Sequence, residues 1–306
     1  MESDFNTHKG FRLINIYERL NKGEVLSKAK LARDYNVTEK TVQRDIDDLR
    51  AYIAEFHYTE ADTAIKYSRA KGGYYLVRFE REWLTCEEVL AMCKILLESR
   101  ALKKDELVQL IGKLLAQAAP SDRTSVDLII KNELHHYIPL KHNKSLLSPI
   151  WELSQFILKN EMINFAYTRK DGVDKQHTVK PVAIMFSEYC FYLIAFMADD
   201  SKKFPTVFRI DRIENIKGTG EKFAIPYRDK FNDGEFRKRV QFMFSGELRR
   251  VNFEYSGPSI ESVLDRLPTA KILSEKDGTY TITAEVYGDG IDMWLRSQGD
   301  RVHIIT

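Results

Sequence analysis

Cysteine is scarce in this 306-residue chain: Cys86, Cys93 and Cys190 are the only three. An odd count excludes a complete disulfide framework. Cys86 and Cys93 fall on one face of an expected helix and read as buried, reduced thiols. Long apolar runs are missing too. No stretch could span a bilayer, and the N-terminus lacks a secretory signal pattern, so a cytoplasmic protein without a membrane partner is expected. Charge of one sign is also lacking. Lys and Arg total 47 against 45 Asp and Glu, a net charge of +2, so bulk composition does not announce nucleic acid. Catalytic fingerprints are absent: no G-x-S-x-G, P-loop, H-E-x-x-H or Rossmann glycine pattern occurs. The expectation is a protein that is not an enzyme and carries no metal and no cofactor.

What is present is a globular composition, 43% hydrophobic and 30% charged, with length for two or three domains. The charge is unevenly placed. Basic residues outnumber acidic ones from Lys9 to Arg44, and only basic ones occur from Lys66 to Arg78. Overlapping the end of the first stretch is VTEKTVQRDIDDLRAY, starting at Val37. Val42, Ile46, Leu49 and Ile53 recur at helical spacing and form a core stripe. Thr38 stands at the N-cap position. The opposite face carries Lys40, Thr41, Gln43 and Arg44, types that donate to phosphate oxygens and base edges. Asp45, Asp47 and Asp48 cluster farther along.

The flanking chain completes a motif. A helix is predicted from His8 to Asn21, with Phe11, Leu13, Ile14, Ile16, Tyr17 and Leu20 as its apolar positions, closed by Gly23, and a second from Lys28 to Tyr35, capped by Ser27. Asn36 then supplies a left-handed turn residue. Two helices, a short turn and a third helix make a helix-turn-helix. Ala64 to Ser68 and Tyr74 to Phe79 read as strands joined by Arg69-Ala70-Lys71-Gly72-Gly73, a tight basic hairpin. Arg69 and Lys71 thus sit on the wing of a winged helix. A three-helix domain that packs on a partner protein would show the same core stripe, but not cap, basic face and wing together.

The run Val37-Thr38-Glu39-Lys40-Thr41-Val42-Gln43-Arg44-Asp45-Ile46-Asp47-Asp48-Leu49 resembles the recognition element of DeoR-type winged-helix transcription regulators, with Lys40 where that family usually has Arg. The resemblance implies that Thr38, Lys40, Thr41 and Arg44 face DNA. It leaves Asp45 to orient Arg44 or a neighbouring helix.

Residues from Trp83 to Tyr137 read as helical. Thr85 and Glu88 form a capping box, and Pro120-Ser121 breaks the segment before a third helix from Arg123 to His136. These helices are either a self-association face or a spacer that packs on its own chain. Paired half-sites in helix-turn-helix recognition favour the first. His135, His136 and His142 lie close in sequence but lack the spacing and acidic or Cys partners of a metal site.

Ile150 to Lys159 reads as an amphipathic helix. Strands follow at Met162 to Tyr167, Gln176 to Val182, Ala183 to Met185, Cys190 to Met197 and Thr206 to Ile210, with a turn at Lys170-Asp171-Gly172. Short strands and tight turns after one helix suggest a small, strongly bent barrel. The segments Pro181-Val182-Ala183-Ile184, Phe191-Tyr192-Leu193-Ile194-Ala195 and Val207-Phe208-Arg209-Ile210-Asp211-Arg212-Ile213 resemble the WYL domain, with Phe191 in place of its Trp. The resemblance implies an Sm-like β-barrel that senses ligands, nucleic acids among them. Tyr192, Arg209 and Arg212 are then the ligand-binding candidates: an aromatic beside two arginines can hold a base and its phosphate. From spacing alone the arginines could equally pair with Asp199, Asp200, Asp211 or Glu214.

After a connector with a helix at Asp229 to Phe236, strands are predicted at Val240 to Phe244, Arg249 to Tyr255, Lys271 to Ser274, Tyr280 to Val286 and Arg301 to Ile304. Helices are predicted at Ile260 to Leu267 and Gly290 to Ser297. This is an α+β sandwich. Met293-Trp294-Leu295 with Gln298-Gly299-Asp300-Arg301-Val302 resembles the WCX extension that accompanies WYL domains.

The expected whole is an α+β multidomain chain. Residues 1–80 form a winged helix-turn-helix, 81–144 a helical connector, 145–222 the WYL domain and 223–306 the WCX domain. The expected function is ligand-responsive regulation of transcription by a homodimer. Its partners would be a double-stranded DNA operator and a nucleotide or single-stranded nucleic-acid effector. A nucleic-acid-processing enzyme targeted by its winged helix, or a protein-binding scaffold, is the alternative.

Overall fold

A computed structural model of the chain describes residues 8–56, 64–77, 84–117, 120–169, 172–224 and 231–305. They fall into two compact units, Met1–Glu98 with Lys104–Ile138, and Ser99–Lys103 with Pro139–Thr306.

The first unit opens with α1 (Lys9–Asn21), α2 (Lys28–Asp34) and α3 (Glu39–Phe56). Ser27 caps α2 by accepting the Lys30 N–H at 3.3 Å, and Asn36 takes φ 50° in the turn. The α3 stripe, Val42, Ile46, Leu49 and Ile53, is buried against Ile16, Leu20, Leu31 and Tyr35. Each such side chain contributes ~1.5–3 kcal/mol relative to exposure. On α1 the apolar pattern misleads in part. Phe11 and Ile14 are exposed, while Arg12 is buried in line with Ile16 and Leu20.

The wing is β1 (Ala64–Ser68) paired antiparallel with β2 (Gly73–Val77). The expected extension to Phe79 lies outside the described residues. The two wing glycines do different work. Gly72 has φ +72°, the left-handed region glycine enters without a Cβ penalty. Gly73 permits a close approach: Leu26 and Tyr74 exchange backbone hydrogen bonds at 2.8 Å, which ties the segment before α2 to the wing. A Cβ at 73 would stand 2.7 Å from the Leu26 oxygen and 2.8 Å from its carbonyl carbon. Gly73→Ala is therefore expected to destabilise the unit by ~1–3 kcal/mol, measured as a lower thermal midpoint. An unchanged midpoint would mean that the wing shifts away without cost.

Three helices complete this unit: α4 (Cys86–Ser99), α5 (Lys104–Gln117) and α6 (Pro120–His135). The capping box forms in both directions, with Thr85 N–H donating to Glu88 Oε2 at 2.8 Å and Glu88 N–H to Thr85 Oγ1 at 3.2 Å. Pro120 starts α6, a place where its missing N–H costs nothing. Cys93 and Cys190 are buried and Cys86 is partly so, and none of the three forms a disulfide.

The second unit holds α7 (Leu147–Lys159) and a five-stranded antiparallel sheet of β3 (Glu161–Thr168), β4 (Asp174–Ser187), β5 (Cys190–Met197), β6 (Thr206–Arg209) and β7 (Ile213–Lys222), in the order β6-β5-β4-β3-β7. The strands predicted at 176–182 and 183–185 are one strand, β4, with a register shift between Pro181 and Ala183. A bulge there suits a residue with no N–H to give. Of the expected turn at 170–172, Lys170 and Asp171 lie outside the described residues.

The sheet is rolled. β6 and β7 are its two edges, yet only the 3-10 turn Ile210–Arg212 joins them. Edges of a flat five-stranded sheet stand ~19 Å apart, four spacings of ~4.8 Å; one 3-10 turn advances ~6 Å. Accordingly Phe208 on β6 touches Tyr167 on β3, ring centroids 5.2 Å apart, and Tyr167 Oη accepts the Arg209 N–H at 3.3 Å. No ladder joins β6 to β7 among the described residues, so the closed Sm-like barrel expected from the sequence is here a rolled but open sheet. The 3-10 turn occupies the seam where closing pairs would run.

The remainder is α8 (Asp233–Arg239), β8 (Leu248–Tyr255), α9 (Ile260–Arg266), β9 (Lys271–Lys276), β10 (Thr279–Tyr287), α10 (Gly290–Ser297) and β11 (Val302–Ile305). The order β11-β8-β10-β9 in a βαββαβ chain is a ferredoxin-like sandwich. Val251, Phe253, Ile282, Ala284 and Val286 alternate inward and meet Val263, Ile291 and Leu295 from the helices. Val240 to Phe244 is not the predicted strand. Val240 makes one bridge to Tyr287, after which Phe242 and Met243 turn the chain at positive φ.

Candidate nucleic-acid interface and anion site

The exposed face of α3 is built by its acids as much as by its bases. Asp45 is buried and receives both the Nε and Nη2 of Arg12, at 2.5 and 3.0 Å. One turn on, Asp48 binds Lys9 at 2.8 Å. Asp47 takes Arg50 at 3.0 Å and the Gln43 amide at 3.0 and 3.1 Å. The acid cluster that would repel phosphate is thereby paired within the unit. Lys40 and Arg44 are exposed, i and i+4 on one face. Neither makes a hydrogen bond or ion pair among the described residues. Thr38 accepts the Thr41 N–H at 3.2 Å, and the two hydroxyls bond at 3.0 Å, so both threonines are engaged as the cap. Gln43 accepts from Tyr74 Oη at 2.7 Å, on the wing. At the wing tip Arg69 and Lys71 are exposed, and Lys71 Nζ lies 4.7 Å from the Tyr75 ring centre.

The second constellation lies on the rolled sheet. Tyr192 and Arg209 are cross-strand partners on β5 and β6. Burial pushes the Tyr192 hydroxyl up to about 12, so it stays a neutral donor. Arg209 spends its fork on Asp211, Nε to Oδ1 and Nη2 to Oδ2, both 2.9 Å. Asp211 is buried. The other acids weighed against the arginines are committed elsewhere: Asp199 to the Ser201 N–H, Asp200 to Lys180, Glu214 to Lys144. Arg212 is half-buried and has no hydrogen bond or ion pair among the described residues. Two neighbours escaped sequence reasoning. Cys190 lies close enough to Tyr192 that each affects the other's pKa. His142 lies close enough to Asp211 and Arg209 to feel both charges, its pKa lowered chiefly by burial. Cys190 stands two residues before Tyr192 on one strand face, a readable signal; His142 comes from a distant loop and carried none.

His135 and His136 meet edge-on, centroids 4.9 Å apart. The described residues hold no group of three or more His, Cys, Asp or Glu placed to bind a metal. An open groove of about 600 Å³ runs along α5 and α6, lined by Val108, Leu128, Leu134 and the polar Lys104, Lys131, Asn132 and His135. No described helix is long and apolar enough to cross a membrane.

Comparison with known proteins assigns both regions. Residues 12–74 match an HTH domain and residues 151–217 the WYL domain. Among solved structures, proteasome accessory factor B/C (PafBC) of Arthrobacter aurescens is 17% identical over 96% of this chain and 44% of that one, with a TM-score of 0.30. A CRISPR Cas-related protein is 13% identical over 65% of this chain and 53% of that one, with a TM-score of 0.35. The chain thus spans about half the length of each. No curated protein matches it.

Proposed function

We propose that the chain is a transcription regulator that binds operator DNA through the winged helix and answers to an anionic effector at the WYL domain. One observation carries this reading. The HTH domain turns Asp45, Asp47 and Asp48 onto intramolecular partners and leaves Lys40 and Arg44 exposed without any among the described residues. In this reading the HTH domain is of the DeoR type, the rolled sheet is an Sm-like barrel open at its seam, and the ferredoxin-like sandwich is the WCX extension. The protein works in the cytoplasm as a homodimer and is not an enzyme. The exposed Leu128 and Ile129 on α6 and Val108 on α5 support self-association there. Selection of duplexes from a randomised pool tests the core of the proposal: paired half-sites should emerge, bound by two copies of the chain. A single short site bound with full affinity by a monomer would refute the dimer, and metal-dependent cleavage of the duplex would refute the regulator.

The effector would be a nucleotide or a short single strand. Tyr192 would stack or donate its hydroxyl, and Arg212 offers the first cation. Arg209 is already neutralised by Asp211, so an incoming phosphate must replace that carboxylate on the same fork. Two opposite results are expected when labelled nucleotides and oligonucleotides are titrated. Asp211→Asn should tighten binding, and Arg209→Ala with Arg212→Ala should abolish it. Effector binding should change operator affinity by ~1–3 kcal/mol, and operator DNA should change effector affinity by the same factor. Equal binding by the wild type and both variants would return these arginines to ordinary ion-pairing roles.

A further inference from the structure

Gln43 sits where a recognition helix presents a base-reading side chain, and its amide is of the type that pairs with adenine. The structure gives that amide other work. Its oxygen accepts the Tyr74 hydroxyl at 2.7 Å, and its nitrogen donates to Asp47 at 3.0 and 3.1 Å. Reading adenine takes both ends of the amide at once. Each end of the Gln43 amide already has a protein partner, which fixes its plane between the wing and Asp47, so turning both ends onto a base would strain or break the contact with the Tyr74 hydroxyl.

Tyr74 is the joint of the wing. Its backbone is bonded both ways to Leu26, and its side chain is only 5% exposed. The Arg50 guanidinium stands 5.5 Å from its ring centre while donating to the Ile65 oxygen on β1 at 3.0 Å and to Asp47 at 3.0 Å. The chain of contacts runs from α3 through Gln43, Asp47 and Arg50 to both strands of the hairpin. Arg69 and Lys71, at the tip beyond that joint, have no such anchorage of their own side chains to α3.

We infer that Gln43 is a positioning residue that, through the Tyr74 hydroxyl, holds the wing at a fixed offset from the recognition helix, so that Arg69 and Lys71 meet phosphates while Lys40 and Arg44 meet the groove. The inference rests on the DNA-binding reading above and adds a division of labour to it. The Gln43–Tyr74 bond converts a hinged basic loop into a preorganised one.

The test uses the full chain and fluorescent duplexes, both of randomised sequence and of the most enriched sequence, over a range of salt concentrations. The variants are Tyr74→Phe, Gln43→Ala, their combination, and each added to Arg69→Ala with Lys71→Ala. Tyr74→Phe removes one hydroxyl and keeps the ring, so it is the variant least able to disturb folding, and thermal midpoints identify any that do. Three results are expected. Tyr74→Phe and Gln43→Ala weaken binding to all duplexes by the same factor. Each lowers the slope of log affinity against log salt by about two, roughly 0.9 for each phosphate no longer neutralised. Neither adds to the other, nor to the loss of the wing cations. A merely structural role would lower the midpoint without that non-additivity. The inference is overturned if Gln43→Ala changes preference at one base pair while Tyr74→Phe leaves the salt slope alone, or if the losses add. If the wild type itself binds no duplex, the DNA-binding reading fails and this inference with it. Binding by the wild type with a slope that both variants leave unmoved defeats the inference only.

Discussion

Arg12→Met is expected to lower the unfolding free energy of the N-terminal unit by about 3–5 kcal/mol. Asp45 is 1% exposed and Arg12 is 5% exposed. Removing the guanidinium strands a carboxylate where water cannot solvate it, and the penalty falls on the charge that remains. The pair itself is worth far less than this, because both ions had to be desolvated to form it. Arg12→Met combined with Asp45→Leu should therefore recover most of the loss. Urea denaturation followed by circular dichroism reads both. A single variant that unfolds at the wild-type midpoint, or a double variant weaker than the single, would show that the pair is not what locks α1 to α3.

Arg12 also shows where pattern reading stops. Of the apolar positions on α1, Ile16 and Leu20 are buried as their pattern implies, but Phe11 and Ile14 are exposed and Arg12 completes the buried line. A periodicity argument counts Arg as polar and cannot see that Asp45, distant in sequence, completes it. The α3 stripe was legible because all four of its core residues are aliphatic and regularly spaced. So were the caps at Ser27, Thr38 and Thr85, which depend only on residues within one turn.

The same distinction explains the strands. β5 and α10 fall on their predicted bounds: β5 is an unbroken apolar run from Cys190 to Met197, and the buried Ile291 and Leu295 of α10 recur one helical turn apart. β7 went unpredicted: of Ile213–Lys222 only Ile213 is buried, and an edge strand with Gly, Lys and Glu outward has no period-two signal. α7 begins at Leu147 rather than Ile150 because Pro149 lies in its first turn, where helices tolerate it. The rolling of the sheet depends on the three residues between β6 and β7, which no local pattern encodes. Of the candidate site residues, Lys40, Arg44, Arg69 and Lys71 are exposed as the sequence implied. Gln43 and Arg209 have partners at other positions in the chain, and partners are what a single sequence conceals.

Lys40→Ala with Arg44→Ala should reduce operator affinity by ~2–6 kcal/mol, taking ~1–3 kcal/mol for each side chain removed from the DNA interface. The two sites are one turn apart on the same face, close enough for their effects to couple, so both single variants are measured beside the double. Folding should be unaffected. Both side chains are exposed, neither is bonded among the described residues, and the acids nearby keep their own partners. The salt response separates what each cation does. A cation that touches phosphate alone lowers the slope of log affinity against log salt by roughly one and weakens all sequences alike. A cation that reads a base relaxes preference at one position as well. Arg44, deeper along the helix and able to fork onto guanine, is expected to relax preference; Lys40, in the first turn, is expected to act through phosphate. Fluorescence anisotropy against the selected duplex and a scrambled one, across salt, measures both quantities. A folded double variant that binds the selected duplex as tightly as the wild type would remove α3 from the DNA interface and leave Lys40 and Arg44 as solvated surface charge.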